Sequence, residues 1–138
     1  CCIMTPLRRY CVCAIASLFS LTVPFVVAAK NMPSGQSMFL REVLVDTVDG
    51  ENWLRFRFVA PSINKDMGGV AYDSAFEDIQ HLCTEIVVPY IAEYDLKSDL
   101  VVVSIADQKI EFGETNPDAT QFFEAFRVKN DVCIWEAF

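Results

Sequence analysis

The sequence predicts an α+β domain of order ββαβαβ, one sheet with a long helix and a short helix packed against it, and three observations carry that prediction. Two strand-like runs flank the dipeptide Asp49-Gly50. The stretch from Phe76 to Tyr94 repeats its apolar residues at helical spacing. Leu100 to Ile105 is an unbroken apolar run bracketed by Asp99 and Asp107. Strands that alternate with helices in one short chain must bury their apolar faces against each other in layers.

Phe39 to Val48 and Trp53 to Ala60 are the first two strands, and Asp-Gly between alternating runs is a strong hairpin signal. A two-residue turn places Val45 opposite Leu54, Val43 opposite Phe56 and Glu42 opposite Arg57. A four-residue turn keeps the same faces and pairs Asp46 with Arg55. A three-residue turn would flip one strand and spoil both faces. Pro61 ends the second strand, and Ser62 to Tyr72, with Gly68-Gly69, reads as a mobile loop. Asp73 or Ser74 then caps the long helix, with Glu77 at capping-box spacing from Ser74. Phe76, Ile79, Leu82, Cys83, Ile86, Val87, Tyr90, Ile91 and Tyr94 form its buried stripe, and Pro89 should kink or split it near Val88. Leu100 to Ile105 predicts a central strand buried on both faces, with Ile110 to Phe112 as a short extension. Asn116-Pro117 reads as a cap and first-turn proline for a short helix with Ala119, Phe122, Phe123 and Phe126 on its apolar side. Val132 to Phe138 is the last strand. Val132, Ile134, Glu136 and Phe138 share its wetter face, and Cys133 and Trp135 are the expected buried pair.

The N-terminal part is of a different kind. Residues 1–29 read as a secretory signal peptide with Met4 as the true start. Arg8 and Arg9 give a positive flank, Cys11 to Val23 is uncharged and mostly apolar, Pro24 breaks the helix, and Val27-Ala28-Ala29 places small residues at a cleavage site. The competing reading is an uncleaved anchor, since Cys11 to Ala29 carries no charge and approaches the roughly 20 residues of a spanning helix. Ser17, Ser20, Thr22 and Pro24 dilute it. Leu7 and the residues after Arg9 do not support a twin-arginine signal. Residues 30–37 are then a disordered leader and 38–138 the folded domain.

Export changes the charge and the cysteines. The chain has a net charge of −8, and without Arg8 and Arg9 nine basic residues face 19 acidic ones, a net charge of −10. Nucleic acid and anionic membrane surfaces both need basic patches, so neither is an expected partner after signal removal. The charge serves solubility or, more sharply, a basic partner protein. Two cysteines are left, Cys83 and Cys133. In an exported domain they predict a disulfide, against the alternative of two small buried free thiols.

Five stretches look familiar together: Trp53-Leu-Arg-Phe-Arg-Phe-Val-Ala-Pro61, the helix around Leu82-Cys83 and Pro89-Tyr90, Phe112-Gly113, Thr120-Gln-Phe-Phe-Glu-Ala-Phe126 and Cys133-Ile-Trp-Glu136. The chain resembles an uncharacterised family of small exported proteins from marine alphaproteobacteria, over most of residues 30–138. The closing Cys-Ile-Trp-Glu motif is the most specific part. Ala137 departs from the acidic residue the family leads one to expect there. The resemblance implies a bacterial source and an envelope location and brings no activity.

Chemistry-bearing motifs are sparse. His81 is the only histidine, so a nucleophile-histidine centre must use it. Neither Ser74 nor Ser104 sits in a Gly-x-Ser-x-Gly elbow, and Cys83, two residues along a helix, points away from His81. No phosphate-binding glycine loop and no Cys-x-x-Cys follow residue 29. No residue is assigned a catalytic role and no cofactor is expected. Glu77, His81 and Glu85 share one helix face at the spacing of a transition-metal chelate, although Glu flanking His at this spacing is also ordinary helix stabilisation. Paired carboxylates of a glycosidase have no aromatic-lined cleft to support them. Trp53, Trp135 and Phe138 are candidates for an exposed aromatic patch, against the alternative that they pack in the core. The expected function is therefore a periplasmic or secreted accessory or interaction module without catalysis, with a small-ligand or metal-binding protein as the alternative.

Overall fold

A computed structural model describes residues 28–29, 31–67 and 69–137, and the side chains of Ala28, Ala29 and Met67 lie outside the description. The expected signal segment, apart from Ala28 and Ala29, falls outside it, and so does Phe138.

Six strands form one mixed sheet whose spatial order follows the sequence. They are β1 (Ala28–Ala29), β2 (Met38–Val48), β3 (Glu51–Val59), β4 (Leu100–Ala106), β5 (Gln121–Lys129) and β6 (Val132–Glu136). Only β3 and β4 run parallel. The helical crossover between them comprises α1 (Tyr72–Leu82), a π-turn over Cys83–Val87 and α2 (Val88–Glu93). The α+β class, the single sheet and the long helix are as the sequence predicts.

The first hairpin has the two-residue turn. Asp49 and Gly50 both have positive φ, 49° and 79°, the type I′ geometry that matches strand twist. Val45 pairs with Leu54, Val43 with Phe56 and Glu42 with Arg57. The outer face carries ion pairs of Arg57 with Glu42 and of Arg55 with Asp46. A register shift between Leu40 and Glu42 frees Arg41 from the alternation.

The helix begins at Tyr72 on Ala71, with no side-chain cap, so the Ser74–Glu77 capping box does not form. Pro89 acts as expected. It lacks the N–H that would bond the carbonyl four residues back. The chain adjusts just upstream, where the Val88 N–H bonds the Cys83 carbonyl in the wider π pattern. The stripe Ala75, Ile79, Leu82, Cys83 and Val87 packs on Leu54, Phe56, Phe58, Val101, Val103, Ile105 and Phe126. Tyr94, expected in the stripe, is exposed. All of β4 is buried; on its other face its own Leu100 and Val102 cluster with Ala125 of β5, and Trp53 packs against them.

Further expectations fail. Residues Gln121–Lys129 are a strand, not a short helix. Phe122 and Phe126 are four apart, which suits a helix, but with Glu124 and Val128 they also alternate with Phe123, Ala125 and Arg127. Pairing with β4 and β6 on both sides decides between the periods. Asn116 makes an Asx turn, its Oδ1 accepting from the Asp118 N–H, and starts no helix. Second, residues 31–37 are packed, not disordered. Met32 is 5% exposed, and the Ser34 hydroxyl and the Gln36 amide both donate to Asp78, a fully buried carboxylate on α1. The segment after Pro61, read as a loop, holds two short 3₁₀ turns, Pro61–Ile63 and Lys65–Met67. Gly69 presses so closely on the Asn64 carbonyl that a Cβ would sit 2.5 Å from it.

A second type I′ turn, Asn130-Asp131 with φ of 50° and 61°, joins β5 to β6. Cys83 and Cys133 form a disulfide with Cα atoms 6.3 Å apart, tying the π-turn to the edge strand.

Candidate functional site

Near the start of α1 the register aims side chains of β5 and β6 at the helix layer. Trp135 lies opposite Phe126 on that face, with Cys133 beside it. Phe122 and Glu124 precede Phe126 on the same side of β5. From the helix, Tyr72 and Phe76 come down one turn apart.

These residues close on one another. Tyr72 meets Phe122 edge-on at 5.5 Å between centroids, Phe76 meets Trp135 edge-on at 5.8 Å, and Tyr72 and Phe76 lie 6.3 Å apart. Edge-to-face contacts at these distances are favourable. In their midst Glu124, 8% exposed, accepts one hydrogen bond from the Tyr72 hydroxyl and one from Trp135 Nε1 at 2.8 Å. Both donors are neutral, and Glu124 makes no ion pair with any described residue. The bond to Glu124 raises the Tyr72 pKa, with burial and the charges of Glu124 and Asp73 adding to it, because a deprotonated phenol would face a carboxylate. Tyr72 and Trp135 are 48% and 49% exposed, so the rings form a half-open aromatic surface over a buried anion. Such a surface attracts a cation through the ring faces and the carboxylate together.

The residues singled out from the sequence fall in different places. Trp135 is in this cluster, half exposed and not the buried partner of Cys133 that the strand pattern suggested, since β6 is an edge strand. Trp53 is on the opposite face, its indole N–H donating to Glu51 and the Arg55 guanidinium 5.2 Å over its ring. Phe138 lies outside the described residues. Trp53 and Trp135 therefore do not share a patch. Glu77 and Glu85 are exposed and His81 half-buried along the helix. The π-turn begins between His81 and Glu85 and breaks the regular spacing of the triad, and no group of three metal-ligating side chains is found among the described residues. Ser74 lies two turns from His81 on one helix, and Ser104 points to the other face of the sheet, so neither of these two serines converges with the histidine. Glu124 and Tyr72 were missed. The available signal was an acidic residue between Phe122 and Phe126, which a strand reading puts on a core-facing position.

A mixed sheet with one helical layer, stapled by a disulfide and carrying an aromatic-rimmed carboxylate, defines a small α+β domain. The chain belongs to DUF6497, a family of unknown function, whose pattern matches residues 17–138. No curated protein and no solved structure is matched by the chain.

Proposed function

We propose that the protein is an exported periplasmic interaction module without catalytic activity that captures a basic protein partner on the helix side of its sheet. The observation that carries the reading is Glu124, a carboxylate held by two neutral donors beneath half-open rings. A lysine or arginine side chain supplies the cation that this arrangement lacks. The surroundings favour the same sign of partner. Asp73, Glu77, Glu85, Glu93 and Asp95 are exposed along the helix, and no lysine or arginine lies between Lys65 and Lys97. The four described arginines, Arg41, Arg55, Arg57 and Arg127, are each paired with a carboxylate. A charge distribution of this kind steers a cationic protein toward the surface and speeds encounter.

Export rests on the Arg8-Arg9 flank, the apolar stretch and Val27-Ala28-Ala29, and the disulfide suits an oxidising compartment. Cleavage after Ala29 removes the two-residue β1 and leaves β2 to β6 in place. The bacterial, alphaproteobacterial source and the closing Cys-Ile-Trp-Glu motif belong to the same reading. N-terminal sequencing of the envelope form should start at Lys30, and a retained membrane-bound N-terminus would contradict export as a cleaved protein. The binding reading is tested by capture from envelope extract on the immobilised protein and on its Glu124→Gln variant. Basic proteins should be retained, released by salt, and lost with the variant. Retention of acidic proteins, or equal retention by both, would contradict it.

A further inference from the structure

The face of the sheet away from the helix is crossed by the segment from Asp107 to Thr120. Its ends are clamped together: the Asp107 N–H donates to the Thr120 carbonyl at 3.0 Å, and the Thr120 N–H to Asp107 Oδ1 at 3.1 Å. Asn64 holds the other carboxylate oxygen at 2.8 Å. Arg41 and Arg57 both donate to the Ile110 carbonyl, and Ile110 is buried. A loop whose ends meet and whose middle is pinned to the sheet is a compact Ω-type unit, a kind that frequently carries function. Phe112, half exposed, stands over the Arg55 and Arg57 guanidiniums at 5.1 and 5.7 Å.

Between this loop and the strands lies a cleft of about 210 Å³. That is below the roughly 300–1,000 Å³ of sites for drug-sized ligands, so it holds one ring and not two. Its floor includes Ser104, 7% exposed, whose hydroxyl has no hydrogen-bond partner among the described residues. The hydroxyl is not sealed from solvent, Gln36 Oε1 being the sole buried unpaired side-chain atom among the described residues, so a ligand in the cleft can reach it and bond it. Gln121 and Glu114 add an amide and a carboxylate at the rim, and Phe112 and Phe123 give apolar walls. Arg55 commits Nε and Nη2 to Asp46 and has Nη1 left to donate.

Charge sets the ligand class. The guanidiniums of Arg41, Arg55 and Arg57 are matched by Glu111, Asp46 and Glu42, and Glu114 adds a further negative group. An anion gains nothing net from such a site. We propose that the cleft binds one uncharged pyranose ring, whose C–H faces suit the phenylalanine walls and whose hydroxyls both donate and accept at Ser104, Gln121 and Glu114. This site is on the opposite face from Glu124 and independent of the basic-partner reading.

Neutral methyl pyranosides titrated into the whole protein, followed by amide NMR shifts, test it. One or more should give saturable shifts confined to the neighbourhood of Ser104, Phe112 to Glu114 and Gln121 to Phe123. Ser104→Ala should weaken that binding about tenfold, the loss of a single hydrogen bond, and Ser104→Val, which also fills the floor, should abolish it. Glu124→Gln should leave it unchanged. The corresponding uronic acid should bind more weakly than the neutral sugar. Absence of saturable shifts with every neutral pyranoside, shifts that map elsewhere, unaltered binding by both Ser104 variants, or tighter binding of the uronate would each overturn the proposal.

Discussion

Replacing both Cys83 and Cys133 with alanine removes the one covalent link between the π-turn and the edge strand β6. The bond joins residues 50 apart, and closing a loop of that length in the unfolded chain is worth about 4 kcal/mol. Cys83 is fully buried in the main core, so alanine there also leaves part of the sulfur's volume empty, at a further cost of about 1 kcal/mol. Cys133 is only partly buried and adds little. The expected loss is about 5 kcal/mol, set against a total of roughly 5–15 kcal/mol for a domain of this size. Urea unfolding followed by tryptophan fluorescence measures it directly, and the midpoint should fall by about 2–4 M. Reduction of the unmodified protein should give nearly the same curve as the double variant. A loss below about 1.5 kcal/mol would refute the reasoning. It would show that the β5–β6 hairpin and the helix packing hold the edge without the bond.

Other predictions follow from single contacts. Asp78→Ala removes the acceptor of Ser34 and Gln36 and should cost about 3 kcal/mol, with residues 31–37 becoming the first site of limited proteolysis; unchanged protease resistance would contradict the packed leader. Tyr72 should ionise above its ordinary 10.0 in an ultraviolet titration and return toward it in Glu124→Gln. Because the folded-state value is raised, its contribution to stability is present below pH 10 and is lost as pH rises through the folded value; a Tyr72 titrating at or below 10.0 would contradict the hydrogen bond. His81→Ala should change stability by no more than about 0.5 kcal/mol, and zinc or nickel should not raise the melting temperature; a loss above about 2 kcal/mol or stoichiometric metal would revive the helix-face chelate.

Most of the fold was legible where local chemistry and periodicity agree. Asp49-Gly50 marked the hairpin and fixed its two faces, and of the two turn lengths that keep those faces the two-residue one, with Val45 opposite Leu54, is formed. The unbroken run in β4 announced burial on both faces, and Pro89 announced an irregular turn. Residues 121–129 were not legible in the same way, because Phe122 and Phe126 satisfy a helical and an alternating pattern alike. What chooses the strand is pairing with β4 and β6, which is distant in sequence. The packed leader was hidden for a related reason. Ser34 and Gln36 look like linker residues until Asp78, more than 40 positions away, is brought beside them. Of the site, Trp135 was visible as a candidate, whereas Glu124 and Tyr72 come together only through that same strand and through a helix start that no local cap marks.

The central claim is that Glu124 and its aromatic rim take a cationic side chain, and a fluorescence titration tests it most directly. A short lysine-rich peptide is added to Trp53→Phe protein, so that Trp135 alone reports. Binding should give a saturable change in Trp135 emission, affinity that falls steeply between about 20 and 200 mM salt, and a further loss of at least about tenfold in Glu124→Gln. Salt-independent binding, or equal affinity with glutamine at 124, would contradict it.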